Sequence, residues 1–220
     1  ILESMLENAY QEQTFEIYNV AMTAINSHVV LPIARECAAL DPDLFIIYMG
    51  NNEVVGPYGP GSVITPFQPN LFVIRLSAWV KATKTGQLLS TVIAKIGNDP
   101  SAPTQWTGMD IFVDKVVSPT DPRLESVYSH FQSNLRDIID VGRKAGAQVL
   151  VSTVATNIKD SPPFSSQHSP GLSDTDLQQW QGAYDEATKQ IKRGNDSEAL
   201  ALLEESQSID PQHALLAYKT

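Results

Sequence analysis

Two short segments hold the residues best suited to chemistry. The first is Asn19-Val20-Ala21-Met22-Thr23-Ala24-Ile25-Asn26-Ser27, and the second is Tyr48-Met49-Gly50-Asn51-Asn52-Glu53. Each reads as the turn that leaves a β-strand. In a parallel sheet, ligands bind outside the carboxyl ends of the strands, so both turns can face one site. Gly50 lets the backbone turn sharply after a strand. Asn52 offers an amide N–H₂, the kind of donor that holds a developing oxyanion.

Other candidates have plainer explanations. Ser27-His28 pairs a nucleophile type with a base type, but adjacent helical residues point about 100° apart. Ser27 is expected to open a helix and His28 to be packed or on the surface. His130 is expected on a solvated helix face, and His168 in a Ser/Pro-rich loop with nothing to orient it. The four histidines lack metal-ligand spacing, and Cys37 is alone, so neither a metal site, a disulfide nor a cofactor is implied. Gly56-Pro57-Tyr58-Gly59-Pro60-Gly61 lacks the Lys-Ser/Thr ending of a phosphate cradle and is expected to shape a pocket rim. Asp210-Pro211-Gln212-His213 follows a helix, where Asp-Pro is ordinary repeat punctuation.

The elements that must position these turns follow from periodicity. Phe15–Val20 alternates like a strand, Ser27–Leu40 reads as a helix with Pro32 in its first turns, and Leu44–Met49 reads as a strand buried on both faces. Together they suggest a right-handed βαβ unit. Helices are expected over Asn70 to about Ile96 and over Arg123–Ala145, where Val127, Phe131, Leu135, Ile138 and Ile139 form the apolar face. Gly146 closes the second, Gln148–Val154 is a third strand, and 97–122 and 157–173 are irregular. Asp174–Arg193 and Ser197–Ser208 then form a helical pair joined by Gly194-Asn195-Asp196. Trp180, Ala187, Gly194, Ala199, Leu203 and Pro211 fall at the large, small, turn and proline places of a tetratricopeptide repeat. Two regions result: an α/β core over 1–173 and a helical segment over 174–220.

Composition narrows the function. The 220 residues carry 25 acidic against 15 basic side chains, a net charge of −10. Nucleic-acid binding, which needs clustered Lys and Arg, is excluded. No apolar run approaches the ~20 residues of a membrane span.

The two turns, taken in order, resemble the SGNH (GDSL-like) serine hydrolases, and the likeness is closest to a bacterial subgroup fused to tetratricopeptide repeats. Gly50-Asn51-Asn52-Glu53 matches the family's Gly-x-Asn-Asp block, with Glu for Asp. Asn19 matches the opening of the preceding block, with Ala24 at its glycine place. Phe131, Asn134, Leu135, Gly146 and the third strand match the helix and strand before the final block. This implies a flavodoxin-like, three-layer α/β/α fold with a parallel sheet and an ester hydrolase or deacylase activity. By resemblance, Asn52 donates its side-chain amide and Ala24 its backbone N–H to the oxyanion, provided that φ at Ala24 is negative. Asn19, Gly50, Asn51 and Glu53 support them. The serine is expected in a Gly-Asp-Ser-like block upstream of Ile1. The base is expected beyond Thr220, with His213 the lesser choice. The substrate would be a small ester or an acylated glycan. The competing expectation is a non-catalytic module that binds a protein partner through its helical repeats.

Overall fold

The computed structural model describes residues 1–63, 68–88, 115–157 and 159–220. Its elements are α1 (Leu2–Ala9), α2 (Ser27–Cys37), β1 (Leu44–Tyr48), α3 (Leu71–Ala82), α4 (Arg123–Lys144), β2 (Gln148–Ser152), α5 (Asp174–Arg193), α6 (Asp196–Ile209) and α7 (Ala214–Lys219). The chain is thus mixed helix and sheet. Among the described residues the sheet has two strands, β1 and β2, which pair in parallel with Leu44 opposite Gln148 and Tyr48 opposite Ser152.

Helix α2 lies against α4, and α4 against β2. Leu31 and Ala34 of α2, Ile47 of β1 and Ile138 of α4 form the buried centre, with Phe45, Leu135 and Val149 packed around it. The stripe 127, 131, 134, 138 recurs at three- and four-residue steps, so one face of α4 meets the sheet and α2. Asn134 is the one polar member of that stripe, and it is fully buried.

A second cluster gathers Trp180 and Ala187 of α5, Leu203 of α6 and Leu216 of α7. Here local signals and packing agree. Ser173 and Asp176 form a reciprocal capping box that starts α5, and Gly194 ends it in the left-handed conformation at φ 77. The helices α5 and α6 fall within a residue of the spans expected from sequence.

Three expectations need correction. Phe15–Val20 forms no strand. A strand requires a neighbour's hydrogen-bond ladder, and among the described residues β1 pairs only with β2, so the alternating segment joins no sheet. Strand β1 is not buried on both faces: Ile47 is buried, but Leu44, Ile46 and Tyr48 are exposed. The packed helices meet its Phe45/Ile47 face, and the pleat turns the other three residues away. The helix from Asn70 stops at Ala82 because Thr83 turns to extended backbone, ψ 149, before helix resumes at 84–88. Only the coarse α/β character of the expected three-layer fold is seen in this two-stranded sheet. The rest of the expected helix, 89–96, and the irregular stretch 97–114 lie outside the described residues.

Among the described residues no helix is long and apolar enough to cross a membrane.

Candidate functional site

The two turns singled out from sequence meet in the fold. Asn52 Nδ2 donates to the Ile25 carbonyl at 3.1 Å, across 27 positions of sequence. One residue past Asn52 and two past Ile25, Glu53 meets Ser27. Its Oε1 accepts from the Ser27 backbone N–H at 2.8 Å and its Oε2 from the Ser27 hydroxyl at 2.7 Å. Ser27 is the first residue of α2, where backbone N–H groups lack intrahelical partners, so a carboxylate suits that position. The longer stem of Glu relative to Asp is what the contact uses.

The 56–61 loop closes over the same turns. The Gly56 N–H donates to the Asn52 carbonyl at 2.7 Å, and Asn26 Nδ2 donates to the Pro57 carbonyl at 2.7 Å. A Cβ at Gly56 would lie 2.6 Å from the Asn52 carbonyl oxygen, so this approach requires glycine. The Asn26 amide is buried, and its Oδ1 has no hydrogen-bond partner among the described residues.

A polar chain runs on into α4. Arg75 of α3 donates to Asn134 Oδ1 at 2.9 Å and pairs with Asp137 at 2.7 Å. That contact fixes which end of the Asn134 amide carries the nitrogen. Asn134 Nδ2 then lies 3.0 Å from Ser27 Oγ and 3.0 Å from His28 Nδ1. Both must accept from it. Ser27 passes its own proton to Glu53, and His28 holds Nδ1 unprotonated. Burial, with the His130 ring and the Arg75 guanidinium nearby, pulls His28 down to about 4 and keeps it neutral. Burial also raises the Glu53 carboxyl above its ordinary value, against the two Ser27 hydrogen bonds. His130 is not solvated as expected: it lies half-buried against the His28 ring, 5.6 Å between centroids, and burial lowers its pKa.

Ala24 departs from its expected geometry. Its φ is +60, not negative. The left-handed region costs a residue with a Cβ about 1–2 kcal/mol. The Ala24 N–H therefore points along a direction that a right-handed residue would not give. Asn19 is exposed and its Oδ1 accepts from the Ala21 N–H at 3.1 Å, a local turn bond. Gly50 has φ 134, and Asn51 is exposed beside it.

A cleft of 580 Å³ opens at the carboxyl ends of both strands, lined by Ile47, Met49, Gly50, Asn51, Phe131 and Val154 among others. Its walls are largely apolar, with Asn51, Ser152, Thr153 and Thr156 as the polar residues of the lining.

His213 lies elsewhere. It is buried, caps α7 by accepting from the Leu216 N–H at 3.3 Å, and packs 4.5 Å from Trp180, ring to ring. Asp210 does not orient it. The fully buried Asp210 carboxylate instead accepts from His168 Nδ1 at 2.9 Å and from the Ser169 hydroxyl at 2.6 Å. Burial pushes this carboxyl up, but the Ser169 and His168 hydrogen bonds outweigh it and hold Asp210 below its usual range. The loop histidine expected to lack an orienter has one.

Among the described residues no group of His, Cys, Asp or Glu is arranged to hold a metal ion. Comparison of the chain with protein-family models, curated proteins and solved structures finds no match.

Proposed function

We propose that the turns at 19–27 and 50–53 form the oxyanion-binding part of an SGNH-type serine hydrolase site, which cleaves a small ester or removes an acyl group from a glycan. The observation that carries this is the Asn52 amide held against Ile25 at 3.1 Å, next to the strained Ala24. An amide carries two N–H donors. The Ile25 carbonyl takes one and fixes the plane, and the other is assigned to the oxyanion; the Ala24 N–H, whose expected role required a negative φ, is left out of the proposal. Backbone strain gathers at functional sites because surrounding contacts must impose it. The adjoining apolar cleft suits the acyl portion of a substrate.

In this mechanism a serine hydroxyl from a block preceding Ile1 adds to the ester carbonyl. Its proton passes to a histidine, and the carbonyl oxygen becomes the oxyanion. The intermediate then collapses, expelling the alcohol, which takes that proton, and water later releases the acid. Ser27 is not the nucleophile, because its fully buried hydroxyl is committed to Glu53. His213, capping α7, serves the helical cluster rather than proton transfer. The pair α5–α6 is read in the same proposal as a tetratricopeptide-like appendage.

The test uses the chain extended to include the serine and histidine blocks, with p-nitrophenyl acetate as substrate. Asn52→Ala should lower kcat about 10²–10³-fold, the usual cost of one oxyanion donor. An unchanged kcat removes Asn52 from the role, and flanking sequence without those blocks sinks the hydrolase assignment.

A further inference from the structure

Helix α3 presents two faces of different character. Its inner face is anchored. Ile74 is 2% exposed, Arg75 pairs with Asn134 and Asp137, and the Ser77 hydroxyl lies 3.2 Å from that of Tyr58. Its outer face carries Phe72, Leu76 and Trp79 at steps of four and three, one stripe of the helix. Phe72 is 73% and Trp79 67% exposed, and Val73 and Leu76 are also open to solvent. Contiguous apolar residues of this size on a surface mark an interaction site.

Charge selects the occupant. The chain is strongly acidic, yet no Asp or Glu occurs from Val54 to Asn98, whereas Arg75, Lys81, Lys84 and Lys95 all fall there. Lys81 and Lys84 are exposed and follow the stripe at its carboxyl end. We propose that the Phe72–Leu76–Trp79 face of α3, with Lys81 and Lys84, docks this protein on an anionic lipid surface. Phe, Leu and Trp beside lysine is the composition of helices that lie in the membrane interface, where the rings enter the headgroup boundary and the ammonium groups meet lipid phosphate. At 1.5 Å per residue the helix is about 18 Å long, well short of the ~30 Å hydrocarbon layer, so it rests in the plane and does not cross. The surface does not depend on the hydrolase assignment.

The test is vesicle co-sedimentation of the 220-residue chain. Phosphatidylcholine vesicles with about 30 mol % phosphatidylglycerol should bind it about tenfold more tightly than phosphatidylcholine alone. Phe72→Ser with Trp79→Ser should remove most binding to both. Lys81→Glu with Lys84→Glu changes only exposed side chains, so its circular dichroism and melting curve should match the parent while its preference for anionic vesicles disappears. No binding to anionic vesicles overturns the proposal, as does binding unchanged by either pair of substitutions. A dimer in vesicle-free solution that the Phe72/Trp79 variant abolishes gives the stripe to a second copy and overturns it equally.

Discussion

Glu53 holds Ser27 at two points, the backbone N–H at 2.8 Å and the hydroxyl at 2.7 Å, and so ties the turn after β1 to the start of α2. Both groups are buried. The contact sets the spacing between Asn52 and the Ala24–Ile25 peptide, since each neighbours one end of it.

The stem length of Glu53 should therefore matter as much as its charge. Glu53→Asp cannot reach both Ser27 donors without moving the turn, and Glu53→Ala leaves both buried and unsatisfied. We expect Ala to cost about 2–4 kcal/mol, and Asp and Gln about 1–3, since the Gln amide has one acceptor oxygen and cannot accept from both the N–H and the hydroxyl. Urea unfolding midpoints measure the order. An Asp variant as stable as the parent would remove the two-point contact.

His28 should make stability depend on pH. Its folded value of about 4 lies below the ordinary 6.5. Between those values the unfolded chain binds the extra proton, so this contribution is complete above about pH 6.5 and falls as pH drops towards 4. Glu53 acts in the opposite sense, because its raised folded value makes its contribution fall as pH rises past the ordinary carboxyl range. His28→Gln keeps an acceptor for Asn134 but cannot titrate. Its melting temperature should change less than the parent's over that window, and parallel curves would exclude His28 as the source.

Ala24 and Gly56 test the backbone of the site. At φ +60, glycine is unstrained and a β-branched residue is strained further. Ala24→Gly should be neutral or up to about 1 kcal/mol stabilising, and Ala24→Val at least about 1 kcal/mol destabilising. Calorimetry separates them, and equal stabilities would contradict a left-handed residue 24. For Gly56→Ala, the new Cβ meets the Asn52 carbonyl oxygen at 2.6 Å. A loss of about 1–3 kcal/mol is expected as the loop moves away.

Asp210 should prove structural. It is fully buried and receives the part-buried His168 and Ser169, so Asp210→Ala leaves both donors without their acceptor and should cost about 1–3 kcal/mol. Its lowered pKa means that this stability is present above the ordinary carboxylate range and is lost as pH falls through the folded value. In the extended, serine-bearing chain, kcat on p-nitrophenyl acetate should stay within about twofold. A drop of a hundredfold would return the Asp210–His213 segment to catalysis.

Sequence by itself determined the local pieces: the apolar face of α4, the spans of α5 and α6 with the Gly194 turn between them, and the two turns whose residue types suggested oxyanion chemistry. Those features rest on near neighbours in the chain, so their periodicity and spacing are legible there. Asn134 was also legible, through the family resemblance of its helix. Its partners were not. Only the tertiary structure joined Arg75, Asn134, Ser27, His28 and Glu53, over separations of up to 107 positions. It also withheld a sheet partner from Phe15–Val20 and gave Asp210 to His168 rather than His213. A strand exists only if another chain segment supplies its ladder, and a carboxylate takes whichever donors packing brings to it. Neither is a property of the residue that carries the signal.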